Sequence, residues 1–408
     1  MAESRIDRRV YFLGLSRFIR AMGRTSSFIF LPVILFELYG MSLIEIGIFS
    51  GTATLIMAFF QYYSGKLTDK IGRRKFLIYI PIPVAISYFT MFIVIYRNMN
   101  AYFLILLWYS TVVLNALQFP AIQASVADVT DLNQRLKGFT IVRLFVNTGA
   151  AVGPLIGAFV GSINFSYIYL VTSVASVVEL VVLFFAINET YTPPKEITRR
   201  TIRGTLKSSY FLLFFSIVGL IFSFLLRQRG TTFTLFIYGF EHISLIELGF
   251  IYSINGILVV ALQYPIFSFM QKKMNFLYWR SVGSMIYSLS FFMIILISGF
   301  YGYMFIMGVM TVGEDFVSPT TETIITSVAS YDSRGTYIGT YNMITSFGNF
   351  LGSVFGLYYL SVFRKVPDIF WEIMAGGLFI VAIMYFMIYP YYKREINISE
   401  NRNILLVE

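Results

Sequence analysis

Apolar stretches about as long as a membrane is thick alternate along this chain with short polar breaks. A helix needs about 20 mostly apolar residues to cross a hydrocarbon core. Runs of that length predict helical spans near 10–38, 43–64, 76–96, 100–127, 136–161 and 165–187. A second set is expected near 208–239, 243–269, 276–299, 302–329, 336–362 and 367–390. The pattern is that of an all-α membrane protein with twelve transmembrane helices and tight connections. It leaves no stretch for a soluble catalytic domain.

The second set echoes the first. SLIEIG at 42–47 returns as SLIELG at 244–249, and Gln61, Tyr62 and Lys70 return as Gln263, Tyr264 and Lys272. At a slightly shorter shift, Pro120 matches Pro319 and Arg135 matches Arg334, while Gly149, Gly153 and Gly157 match Gly348, Gly352 and Gly356. RAMGRT at 20–25 faces RQRGTT at 227–232 in the same way. The chain is therefore expected to be two pseudo-symmetric six-helix bundles, residues 1–187 and 208–390. A cytoplasmic linker, 188–207, joins them, and a cytoplasmic tail, 391–408, follows. Duplicated bundles with a site at their interface are a common transporter architecture.

Composition agrees with a lipid environment: 57% of the 408 residues are apolar and 13% charged, where a soluble domain carries about a quarter charged. The net charge of +10 does not point to nucleic acid, because most of the 31 Lys and Arg fall in the tails and the even-numbered connections. Positive loops stay in the cytoplasm, so a multi-pass protein of the plasma membrane with both termini cytoplasmic is expected. The opening MAESRIDRRVYFLG is too long before the first span for a cleavable signal, so helix 1 is read as an anchor. There is no cysteine, and the single histidine, His242 beside Glu241, reads as a solvated loop residue. No metal and no cofactor are expected. No P-loop, H-E-x-x-H or G-x-S-x-G is present, so neither direct ATP use nor an intramembrane enzyme is expected.

Between helices 2 and 3 stands GKLTDKIGRR, residues 65–74. It resembles the G-x-L-x-D-[RK]-x-G-[RK]-[RK] signature of the major facilitator superfamily. GAAVGPLIG, residues 149–157 of helix 5, is similar to the G-P-containing motif of that superfamily's twelve-helix drug:proton antiporters, through Gly149, Gly153, Pro154 and Gly157. The resemblance covers the whole chain, with a degenerate echo of the loop motif at FMQKKMNF. It implies that Gly65, Asp69, Gly72, Arg73 and Arg74 latch the two halves, with Asp128 as the acidic partner of the motif's arginine. It also implies that helices 1, 4, 7 and 10 line a central cavity. One departure stands out: such antiporters carry an arginine in helix 4, and this chain reads VVLNALQFPAIQA there.

Charges inside the spans carry the candidate chemistry, since each costs roughly 2.5–3.5 kcal/mol at the membrane centre even on lenient scales. Arg17, Arg20 and Arg24 share one face of helix 1 at spacing i, i+3, i+7. On helix 10, Asp315 and Glu322 continue a stripe with Thr311 and Ser318, and Glu314 points about 100° away. Helix 5 sets Thr140, Arg143 and Asn147 opposite its glycines. On helix 7, Arg227 matches Arg20 in the repeat and is preferred over Arg229. The expected substrate contacts are Arg20, Arg24, Arg143, Asn147 and Arg227, and the expected proton carriers are Asp315, Glu322 and Glu314. Embedded arginines outnumber embedded acids, which also include Glu179, so an anionic solute is one expectation and a lipophilic cation on the helix 10 carboxylates another.

These features predict a secondary active transporter, proton-coupled and exporting a small organic solute as a monomer in the lipid bilayer. A proton-coupled importer of an organic anion or sugar, and a receptor that kept the fold without transport, are the alternatives. The topology is testable because the chain has no cysteine of its own. An impermeant maleimide should label His242→Cys on intact cells and Thr198→Cys only after the membrane is opened. The opposite labelling would reverse the orientation.

Overall fold

A computed structural model of the chain describes residues 6–71, 73–186, 210–272, 275–329, 334–363 and 366–393. The linker 188–207 lies outside the described residues, as does the tail beyond 393. Among the described residues every regular element is a helix. They are α1 (Arg8–Phe28), α2 (Leu31–Glu37), α3 (Leu43–Ile71), α4 (Arg73–Tyr79), α5 (Pro81–Tyr96), α6 (Ala101–Asp128), α7 (Leu132–Ile163) and α8 (Phe165–Ala186). After the linker come α9 (Tyr210–Leu226), α10 (Thr231–Gly239), α11 (Leu245–Gln271), α12 (Phe276–Leu296), α13 (Gly299–Val328), α14 (Arg334–Val362) and α15 (Pro367–Met387). Ten segments among the described residues have the length and apolarity to cross a membrane. Two more, α13 and α14, have the length, 30 and 29 residues, but are less apolar. The chain is an all-α, multi-pass membrane protein.

Three spans that read as continuous in the sequence are interrupted. The first breaks between Phe28 and Leu31, where Pro32 occupies the opening turn of α2. The third breaks between Tyr79 and Pro81. Proline brings no N–H, so it is tolerated where a helix begins anew. The seventh passes through a 3₁₀ turn, Arg227–Arg229, closed by Gly230 at φ −84° and ψ −117°, well outside helical values. Pro120, Pro154, Pro265 and Pro319 lie inside helices without ending them.

The chain forms two compact units. One comprises Met1–Ser42, Leu55–Pro194 and Thr234–Val260; the other comprises Leu43–Thr54, Lys195–Phe233 and Ala261–Glu408. In the first, α1 packs on α7 and α8, and α5 on α6 and α8. In the second, α9 packs on α14 and α15, and α12 on α13 and α15. The pairings of helices 1 with 5 and 3 with 6 thus recur as 7 with 11 and 9 with 12.

Glycines make the closest of these contacts. A Cβ at Gly149, Gly153 or Gly157 of α7 would meet the backbone carbonyl of Phe18, Met22 or Ser26 of α1, one turn apart each time. In the second unit a Cβ at Gly348 or Gly352 of α14 would meet the carbonyl of Leu220 or Phe224 of α9, and one at Gly356 would meet the Gln228 amide. Lipid tails are as apolar as leucine, so helices in a bilayer associate through close packing rather than through hydrophobic expulsion. Bare backbone is what permits it here.

The repeated hexapeptide serves the same end. Its final glycine in the first copy, Gly47, opposes α14: a Cβ there would stand 2.9 Å from the Ser353 carbonyl. In the second copy, Gly249 opposes α7, 2.9 Å from the Pro154 carbonyl by the same construction. Each ladder helix therefore meets backbone on two faces. Gly153→Ala and Gly352→Ala should each destabilise the protein by about 1–3 kcal/mol, the usual cost of overpacking. Gly376, with nothing within 4 Å of a Cβ, provides the control: Gly376→Ala should melt no lower than wild type. Equal detergent melting curves for all three would refute the ladder's role.

Candidate functional site

In the first unit the embedded charges meet at α1, α6 and α8. Arg20 is 7% exposed and Glu179 wholly buried. The Arg20 Nη1 donates to Glu179 Oε2 at 2.5 Å, while Nε and Nη2 both reach Asn115 Oδ1, at 3.0 and 2.7 Å. Gln118 Nε2 approaches the other Glu179 oxygen at 3.4 Å. A buried ion pair is tolerable when further hydrogen bonds satisfy both partners, and Asn115 and Gln118 of α6 supply them. Neither amide was picked out from the sequence. Their signal was weak, two polar residues three apart in an apolar helix.

Arg24 stands one turn further along α1 and is exposed. Its guanidinium lies 6.0 Å from the Phe28 ring centroid. Arg20, Arg24, Tyr88 and Asn115 line a narrow crevice with Gly23, Thr172 and Ser176. Arg143 and Asn147 lie elsewhere on α7, exposed and half-buried respectively, and do not line it.

Of the loop motif, Gly65 and Asp69 fall in the last two turns of α3. The Asp69 side chain and the whole of Gly72 lie outside the described residues. Arg73 opens α4, and its Nε sits 2.7 Å from Asp128 Oδ2 at the end of α6. Arg74 beside it is half-buried. Nearby, Asp7 caps α1 by accepting from the Arg9 amide at 2.8 Å. The Arg9 side-chain hydrogen bond holds the Asp7 carboxyl below its ordinary range. Asp7 and Asp128 line one cleft with Arg9 and Asp131.

In the second unit the 3₁₀ turn distributes its three side chains. Arg227 Nε donates to Ser353 Oγ at 2.7 Å. Gln228 Nε2 donates to the Gly352 carbonyl at 2.9 Å and its Oε1 accepts from Thr232. Arg229 Nη1 reaches Glu314 Oε2 at 2.7 Å and the Tyr287 hydroxyl at 2.9 Å. Tyr287 thus joins the Arg229–Glu314 pair, next to Asp315 on α13. The stripe on α13 changes character along its length: Thr311 and Asp315 are wholly buried, Ser318 and Glu322 exposed. Among the described residues no group of His, Asp and Glu is arranged to hold a metal ion.

Arg280, near the start of α12, is not among the candidate residues read from the sequence. It is 1% exposed. Its guanidinium lies 4.8–5.3 Å from the ring centroids of Tyr385, Phe222 and Phe215, and it donates to Thr321 Oγ1 at 2.5 Å and to the Tyr341 hydroxyl at 3.0 Å. A desolvated guanidinium against aromatic faces is favourable by about 2 kcal/mol or more. No linear signal marks it, because the caging residues come from four other helices.

Comparison with known proteins agrees with this architecture. The chain is 27% identical over 304 residues to the uncharacterized MFS-type transporter YttB of Bacillus subtilis, covering 72% of this chain and 73% of that protein. It is 21% identical over 399 residues to the quinolone resistance protein NorA of Staphylococcus aureus, covering 96% of this chain and 99% of NorA. A crystal structure of a mutant peptide transporter POT with sulfate superposes with a TM-score of 0.78 at 15% identity, over 95% of both chains. A structure concerned with substrate recognition in proton dependent oligopeptide transporters gives 0.79 at 14% identity, over 95% of this chain and 99% of that one. The family model of the Major Facilitator Superfamily matches residues 13–353. By the span of that match, with two copies of one helix pairing behind it, the chain belongs to the Major Facilitator Superfamily of transporters.

Proposed function

We propose that this transporter exports small organic solutes in exchange for protons, by alternating access. The observation that carries the coupling is the wholly buried Asp315 beside the Arg229–Glu314 pair. Burial makes an ionised carboxylate costly unless it is paired. Arg229 is paired with Glu314, and the buried Asp315 is the next residue along α13, so protonating either acid changes the charge around the arginine. Such a set gives the protein two charge states to couple to two conformations. Glu322, exposed two turns further along α13, provides a route for the proton. The relative named for quinolone resistance supports outward transport of drug-like solutes.

Within this cycle the Arg73–Asp128 pair acts as a latch, together with Asp69. The plasma membrane, with both termini in the cytoplasm, is the location that fits export. The protein is taken to work as a monomer.

Proteoliposomes test the coupling. A fluorescent quinolone should accumulate when the lumen is made acidic, and Asp315→Asn should abolish that accumulation while retaining exchange of solute for solute. Accumulation driven by an alkaline lumen would overturn export, and binding without any flux would point to a receptor. In the same vesicles Arg73→Asp or Asp128→Arg alone should slow exchange about tenfold or more, the loss of a partly buried pair. The double reversal should recover most of the rate. A double reversal as slow as either single change would dismiss the latch.

A further inference from the structure

We infer that Arg24, at the mouth of the crevice on α1, receives the carboxylate of a flat aromatic acid, with Phe28 as the platform for its ring. The inference deepens the reading of the protein as a solute transporter and rests on it. Four observations carry it.

First, the wall of the crevice holds two guanidinium groups and not one carboxylate. Glu179, the acid behind it, already receives Arg20 and Gln118. Second, Arg20 and Arg24 differ in commitment. All three donor nitrogens of Arg20 are engaged within the unit, whereas among the described residues Arg24 and Arg17 form no ion pair. Three arginines on one face of α1 thus share a single acid. An anion relieves that excess, and a cationic solute would add to it.

Third, three of the wall's neutral polar groups are already committed elsewhere. Asn115 Nδ2 donates to the Thr111 carbonyl at 2.7 Å, and the hydroxyls of Thr172 and Ser176 donate to backbone carbonyls at 2.8 and 2.9 Å. The Arg24 fork is the charged donor left to a ligand, and its planar geometry suits a carboxylate. Fourth, an aromatic surface begins where the crevice ends. Phe28, one turn beyond Arg24, is 39% exposed and stacks on Trp108 at 5.9 Å, which is itself buried. The crevice itself has room for little more than a water, about 10 Å³, so a carboxylate meets the exposed Arg24 at its mouth and a flat body extends over Phe28.

Titration calorimetry on the full-length protein in lipid nanodiscs tests this with naphthoate, neutral naphthamide and naphthylmethylammonium as probes. Naphthoate should bind, naphthamide about tenfold more weakly or less, and the cation least, since a hydrogen bond between charged groups contributes enough for a factor of ten. Arg24→Gln should weaken naphthoate about tenfold and leave naphthamide unchanged. Arg24→Lys should recover part of the loss, and Phe28→Leu should weaken both probes alike. Melting curves establish that each variant is folded. The inference is overturned if folded Arg24→Gln binds naphthoate like wild type, if wild type does not bind it, or if the cation binds more tightly. Arg24-dependent naphthoate binding without proton-driven flux would keep this site and remove the transport reading. Flux with Arg24-independent binding would do the reverse.

Discussion

Everything in this molecule depends on helices that touch through their backbones. In lipid there is no hydrophobic gain from bringing two apolar helices together, so contact distance decides how strongly they hold. A side chain at Gly149, Gly153 or Gly157 would collide with a carbonyl of α1, and at Gly348 or Gly352 with a carbonyl of α9. The ladders therefore determine where α1 and α9 lie. The charged groups of α1 and of the turn after α9 inherit their positions from that contact.

The two copies of this frame carry different chemistry. In the first unit α1 is a continuous helix through Arg20 and Arg24, and an arginine meets Glu179 from α8. In the second, the matching stretch unwinds into a 3₁₀ turn at Arg227–Arg229, and both Arg227 and Gln228 reach the ladder helix, at Ser353 and at the Gly352 carbonyl. Unwinding re-aims Arg229 toward Glu314 and Tyr287. Cations thus dominate the polar cluster of one unit, while α13 brings two adjacent carboxylates to the other. A duplicated scaffold thus carries divergent polar clusters without disturbing the packing that both need.

Buried charge in both units is held by neutral helpers. Asn115 and Gln118 attend the Arg20–Glu179 pair, and Tyr287 attends Arg229. Arg280 goes further: its guanidinium rests among three aromatic rings, with Thr321 and Tyr341 accepting its hydrogen bonds. Each arrangement limits the cost of removing an ion from water.

The sequence by itself determined the helical spans, their duplication and the family, because apolar length, repeated glycines and the GKLTDKIGRR loop are local patterns set by the membrane and by tight turns. It also placed Asp128 opposite the loop's arginine, since the motif carries that pairing. What it left undecided was which charges meet. Spacing put Arg20 and Arg24 on one face, but only the packed helices show Arg20 engaged by Glu179 and Asn115 from 159 and 95 residues away. The preference for Arg227 over Arg229 rested on its match to Arg20 in the repeat, and only the packed helices show Arg227 at Ser353 and Arg229 at Glu314. Nothing in the linear sequence marks Arg280, because Phe215, Phe222 and Tyr385 close around it only in the folded chain. Periodicity fixes direction within one helix, whereas the partner of a buried charge is chosen by neighbouring helices, whose contacts exist only in three dimensions.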